Sequence, residues 1–453
     1  MKTPFGMTDR VNIANIVTQG GVWGPIQCSN QVDTLGKECV QRNINLYTYK
    51  GSVKVMPLAM IDDILAVSLC GINSVRVNSF INTKMEMKKL LFSYTKCKHV
   101  HSGKENPFCP DLQVHGNLMA KSKKEKYLGD LVCDTLLGDG SNEQNVKCRK
   151  SKGIGIVSQI MVILESVSLG SYYFEIAILL REALLINGIL TNSEVWYGLT
   201  KTQISELEAV DRMLLRRLLD APISTPCEAL YLELGVVPIS LILKGRRLMY
   251  LHYLLNLEET EMLYCFFLAQ LNMPGENDWT ETVKQDLVDF EIGLSLQEVK
   301  ELSHDQFKCM VKDKSRSAAF KQLMGAKSHH SKMSSLDYSE LRIQQYLVNK
   351  SFHTGDAKLL FSFRTRMVEV KNNYKNRQSD LNCPLCGKDT DTQQHLLDCE
   401  KIHRSRPNVL YNDLFGDDCS SVRQTFDALK NSLRNREDLL RAAEEETGVA
   451  RQD

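Results

Sequence analysis

Cys383-Pro384-Leu385-Cys386 is followed by eight residues and His395, then by three more and Cys399. Nothing else in the 453 residues limits a local fold so tightly. Cys-x2-Cys-x8-His-x3-Cys offers three thiolates and one imidazole, a complete tetrahedral shell for structural Zn²⁺. The flanking segment has few apolar residues, so metal binding is expected to supply its folding energy. The first pair requires a turn sharp enough to set both sulfurs on one ion. His395-Leu396-Leu397-Asp398-Cys399 is predicted to be a short helix delivering the second pair, with His403 as a lesser substitute for Cys399. The competing reading is a chance spacing of unrelated residues.

The length predicts two or three domains. A formal net charge of +1 hides strong segregation along the chain. From Glu258 to Asp305 there are twelve acidic residues and two basic ones, whereas Lys312 to Arg377 holds fourteen Lys or Arg and five acids. A block of that kind is a footprint for a phosphate backbone or, more plainly, a solvated helical face. Met1 to Arg10 has no apolar signal segment. The most apolar stretch, Gly153 to Thr191, is interrupted by Glu165, Glu175, Arg181 and Glu182, so it reads as buried helix and not as a membrane span. The expected location is intracellular, in nucleus and cytoplasm, with the remaining cysteines as reduced thiols.

Along the chain, the first 70 residues have the character of β-rich core. Val11 to Val17 is apolar and β-branched, and Ser52 to Met60 and Ile64 to Leu69 flank Ile61-Asp62-Asp63 as a hairpin flanks its tip. From about 154 to 257 the period is helical. Ile204, Leu207, Val210, Leu214 and Leu218 share one face, with Glu206, Asp211, Arg212 and Arg217 largely elsewhere, until Pro222 and Pro226 break the pattern. The predicted organisation is α+β. A β-containing domain over 1–135 precedes a helical domain over 136–257 and an acidic helical connector over 258–310. A basic helical region over 311–380, the zinc module over 381–405 and a charged helical tail over 406–453 follow.

Two adjacent carboxylates at a hairpin tip repel each other unless a cation neutralises them, so Asp62 and Asp63 are candidate Mg²⁺ ligands for two-metal phosphoryl transfer. Solvated Asp-Asp turns are the common alternative. Met60-Ile61-Asp62-Asp63 resembles the aromatic-X-Asp-Asp box of reverse transcriptases. Upstream, Gln19-Gly20-Gly21-Val22-Trp23-Gly24-Pro25 resembles their Gln-Gly motif. Lys96-Cys97 with His101-Ser102-Gly103-Lys104 looks like the next palm motif, and Tyr127-Leu128-Gly129 like the primer grip. Glu194-Val195-Trp196-Tyr197-Gly198, Glu208 to Leu219 and Ala229 to Leu254 resemble the thumb and connection of non-LTR (LINE-type) retrotransposon enzymes, which also place a zinc knuckle after the thumb. The likeness spans about 11 to 405 and is least specific over 260 to 375.

The resemblance implies a partial palm of antiparallel strands with helices, a helical thumb and a small Cys-Cys-His-Cys zinc module. It implies RNA-directed DNA synthesis with Mg²⁺ and deoxynucleoside triphosphates on an RNA template and a DNA primer or target. Asp62 and Asp63 would hold metal, Gln19 and Gly20 would line the nucleotide and template site, and Tyr127, Leu128 and Gly129 would grip the primer. Two departures stand out. Met60 replaces the usual Phe or Tyr, and the family's first catalytic aspartate lies upstream of the Gln-Gly motif, ahead of this sequence. The expectation is therefore a fragment inactive as given, or a nucleic-acid-binding remnant. A second metal cluster from Cys97, His99, His101, Cys109 and His115 fits no compact ligand spacing. Lys96 is a candidate proton donor to pyrophosphate or a surface lysine, and His329-His330 reads as loop.

Overall fold

The computed structural model describes residues 2–3, 6–7, 35–39, 41–42, 44, 47–60, 63–68, 70–101, 111–134, 138–275, 278–377, 380–416 and 418–447. The chain is mixed α+β, largely helical with few short strands. It divides into two compact units, 1–141 with 257–280, and 142–256 with 281–453. The acidic stretch from 258 is thus shared between the two, parting at 280.

In the first unit every described strand belongs to a two-stranded pair. Thr48–Tyr49 pairs with Val53–Lys54, and Leu58–Met60 with Asp63–Leu65, both antiparallel. Lys98–Val100 and Ala120–Ser122 run parallel. The basic run past Lys121 forms Lys124–Tyr127, which pairs antiparallel with Asp130–Cys133. The two apolar runs, Ser52 to Met60 and Ile64 to Leu69, give the expected hairpin through Leu58–Met60 and Asp63–Leu65, but the described pairs do not join into one palm-like sheet. Val11 to Val17 lies outside the described residues. The core comes from the helix Gly71–Met87, whose Val77, Ile81 and Met85 recur every fourth residue and bury against Leu35. Ile64 and Phe80 close around them. Asn and Ser between the apolar positions mask this helix in the sequence. Residues 257–280 dock through Phe266, edge-on to Tyr49 at 5.3 Å, and through Gln270, whose amide donates to the Tyr49 hydroxyl at 2.9 Å.

The second unit is built of packed helices. Lys201–Leu219 begins with a Thr200–Gln203 capping box and buries Leu207, Val210, Leu214 and Leu218, as its period predicts. Asp211 departs from the expected outer face. It is fully buried, because Arg181 meets it with two hydrogen bonds of 2.7 Å and the Tyr231 hydroxyl donates to it at 3.2 Å. Arg181 opens a π-helical stretch, Arg181–Ile186, which follows Tyr173–Leu180. The stretch read as buried helix from 153 to 191 is two helices around a bend. Val157, Ile160 and Phe174 are core, while Val162, Val167 and Leu179 face outward. His304–Lys327 packs across Ile239–Leu255 and Cys227–Leu234.

Two further buried ion pairs bind this unit. Arg247 grips Asp286 at 2.6 and 2.9 Å. Arg364 meets Glu233 at 3.1 Å, and Glu233 also accepts from the Tyr338 hydroxyl at 2.8 Å. The tail helix, Cys419–Thr447, folds back on the unit and buries Val422, Phe426 and Leu429. Among the described residues no helix is long and apolar enough to cross a membrane.

Candidate metal centre

The four predicted ligands converge. One ligand atom each from Cys383, Cys386, His395 and Cys399 lies within 4.8 Å of all the others. The Cys383 and Cys399 sulfurs are 4.0 Å apart, and Cys386 Sγ is 3.4 Å from His395 Nε2. Bond lengths of about 2.3 Å to sulfur and about 2.0 Å to nitrogen place tetrahedral ligand atoms roughly 3.5–3.8 Å from one another. The cluster can hold a metal ion and is compatible with zinc. Cys383, His395 and Cys399 are buried, so an ion there is largely shielded from water.

Local backbone geometry builds each half. Asn382 bridges Thr390, and Cys383 N–H donates to the Asp389 carbonyl at 2.7 Å, closing a narrow loop that carries both first cysteines. Gly387 N–H returns to the Cys383 carbonyl at 2.9 Å with a left-handed φ of +68°, a conformation that costs other residues energy. The second half is the predicted short helix, His395–Asp398, with its first N–H capped by the Thr392 hydroxyl at 3.0 Å. Burial pushes the Cys383 thiol up to about 11, whereas the Asp389 backbone N–H and, more weakly, His395 hold Cys386 down to about 7. Cys386 is thereby disposed to be a thiolate, and Cys383 needs a cation to become one.

His403 is not a ligand. Its Nε2 lies 3.0 Å from the Leu396 carbonyl and 2.8 Å from Ser432 Oγ, so Nε2 carries the proton, and His403 is not among the residues that converge. Asp391 and its partner Arg436 were not anticipated. Asp391 has no exposed surface, and it accepts from Lys371 N–H and from Arg436 Nη2, each at 2.8 Å. Asp391 and Arg436 stand 45 positions apart, and no local period links such a pair.

The polymerase-like candidates are only partly described. Gln19, Gly20 and Asp62 lie outside the described residues, as do Ser102, Gly103 and Lys104. Asp63 is exposed at the start of its strand, opposite Met60. Tyr127 ends a strand, and Leu128 and Gly129 form the tight turn with φ of +47° and +97°. The Tyr127 phenol is raised above its ordinary value by burial first and by the Asp63 charge second, so the two hairpins come within electrostatic range. Cys109 is outside the described residues. His115 has both ring nitrogens engaged, with Glu86 at 2.8 Å and Phe92 N–H at 3.1 Å, and no second metal-capable cluster occurs among the described residues.

Much of the basic excess over 312–377 is used internally. Lys314 and Lys321 both reach Glu291, Arg364 is buried on Glu233, and Arg366 donates to Ser335. Lys332 and Lys358 lie over the rings of Tyr374 and Tyr173 at 4.9 and 5.2 Å. Lys312 and Lys350 remain exposed. A scan against protein-family models, a search of curated proteins and a search of solved structures each found no match.

Proposed function

We propose that the protein is the carboxy-terminal portion of an RNA-directed DNA polymerase of the non-LTR retrotransposon type, and that it engages RNA template and DNA primer within the cell. The observation that carries this reading is the convergence of Cys383, Cys386, His395 and Cys399 within the second, largely helical unit, joined to the order of the polymerase-like motifs upstream. Zinc is the metal that fits: three sulfurs and one nitrogen leave no oxygen ligand for a harder cation. Bound there, it ties the loop 383–386 to the short helix His395–Asp398 and the Cys399 that follows it, and has a structural role. Asp62 and Asp63 are the residues we assign to Mg²⁺, Gln19 and Gly20 to the nucleotide and template, and Tyr127, Leu128 and Gly129 to the primer. The exposed Leu128 in the turn, next to a Tyr127 phenol that feels the Asp63 charge, supports that assignment.

The test is binding and extension of an RNA–DNA template-primer by the purified chain. Affinity is expected to fall roughly a hundredfold between 50 and 200 mM salt if about four phosphates are neutralised. It should also fall in the Cys383→Ser, Cys386→Ser variant. Binding without extension is the expected result for a fragment inactive as given, and fits the polymerase fragment and the nucleic-acid-binding remnant alike. Extension with Mg²⁺ and deoxynucleoside triphosphates, abolished by Asp62→Ala, would instead show an active polymerase. Absence of binding at low salt overturns both.

A further inference from the structure

The tail helix, Cys419–Thr447, reaches the metal centre from one face with two side chains a single turn apart. Arg436 donates through Nη2 to Asp391 at 2.8 Å and through Nη1 to the Glu369 carbonyl at 2.9 Å. Asp391 belongs to the backbone pairing that carries the first ligands: its N–H donates to the Leu381 carbonyl at 2.8 Å, two residues before Cys383. Ser432, fully buried, donates to the Ala428 carbonyl at 2.7 Å and so is left to accept from His403 Nε2 at 2.8 Å. That same imidazole N–H reaches the Leu396 carbonyl at 3.0 Å, inside the helix that carries His395 and leads to Cys399. One helix face therefore holds both halves of the ligand set, Arg436 through the loop and Ser432 through the short helix. Leu396 and Leu397 are buried, and their helix packs on the tail helix.

We infer that the tail helix is a clamp on the metal centre, with Arg436, Asp391, His403 and Ser432 as positioning residues that bind no metal themselves. The inference rests on the reading of the four-residue cluster as a metal site. Asp391 Oδ1 and Arg436 Nε are buried with no partner among the described residues, so the joint spends desolvation for position. Outer partners of this kind set ligand orientation, and their loss typically lowers metal affinity about 10–100-fold. The coupling runs both ways: metal that orders the ligand loop also favours the docked tail helix, and removing it releases residues near 428–440.

The full chain, loaded with zinc, is challenged with a chromophoric chelator beside Arg436→Met, the double variant Asp391→Asn with Arg436→Met, and Ser432→Ala. Each variant should still bind one equivalent and, with Co²⁺ in place of zinc, keep tetrahedral absorption bands. The two Arg436 variants should yield zinc to the chelator at least about tenfold faster than the parent. Release within twofold of the parent, in a variant of parental helicity, overturns the clamp. Should the variants not fold, hydrogen exchange on the parent decides. Metal removal is expected to deprotect 428–440 together with 381–403, and unchanged protection of 428–440 overturns the inference. A parent that takes up no zinc rejects the metal-centre reading itself, whereas a zinc-binding parent with variants at parity rejects only the clamp.

Discussion

Arg181 shows how much one residue can decide in this chain. It lies in the middle of the most apolar stretch, where the sequence offers it only as an interruption, yet it is fully buried against Asp211. Burying an ion pair is costly, and removing one partner is costlier still because the other charge is stranded. Arg181→Met is expected to lower unfolding free energy by about 3–5 kcal/mol, read from urea midpoints at unchanged slope. Arg181→Met with Asp211→Leu should recover most of it, and equal loss in single and double variants would refute the pairing. The four residues that could hold a metal lie at the opposite extreme of legibility. Their four positions are readable from spacing alone, since a tetrahedral shell constrains sequence distance as well as space. The Cys383→Ser, Cys386→Ser variant should lose its one equivalent of zinc, and retention of that zinc would show that other groups hold it. Asp211, Glu233 and Asp286 were not readable, because each finds its arginine 30 or more residues away.

Elements were legible where one periodic face persists over several turns. Lys201–Leu219 is such a case, with caps and core face both written in the chain. Gly71–Met87 is not, for its buried positions alternate with Asn, Ser and Thr that suit turns equally well. The end of Cys227–Leu234 gives an element-scale prediction. Gly235 has φ +64°, and a Cβ there would sit 2.2 Å from the backbone of Arg342 and Ile343, where Leu234 bridges Ile343. Gly235→Ala combines a left-handed penalty of about 1–2 kcal/mol with a backbone clash. It should therefore destabilise by more than about 2 kcal/mol in thermal or urea unfolding. A near-neutral result would mean that the bridge to Ile343 does not form. The π-helical stretch at Arg181 belongs to the same scale, since no short-range pattern announces an extra residue in a turn.

At the scale of the molecule, the tail helix is the element that the sequence most undersold. It reads there only as a charged helix, whereas in the fold Arg423 and Lys430 hold Asp356 at 3.2 and 2.5 Å. Burial raises the Asp356 carboxyl, but Lys430 and Arg423 together outweigh it and bring the value below the ordinary 3.8. A depressed carboxylate contributes stability that is complete above 3.8 and disappears as pH falls through the folded value. Acidification should therefore loosen 419–447 below about pH 4, measured as faster hydrogen exchange there, and Asp356→Asn should remove that acid-sensitive step. An identical acid profile in the variant would show that other groups govern it.

The docking of this helix also has a consequence in time. Arg436 follows Cys399 by 37 residues, and at synthesis rates of about 5–20 residues per second it is made roughly 2–7 s later. The four candidate ligands thus leave the ribosome before the side chains that we infer position them. If the clamp holds, a nascent chain is expected to pass through an interval in which it takes up metal but also loses it readily.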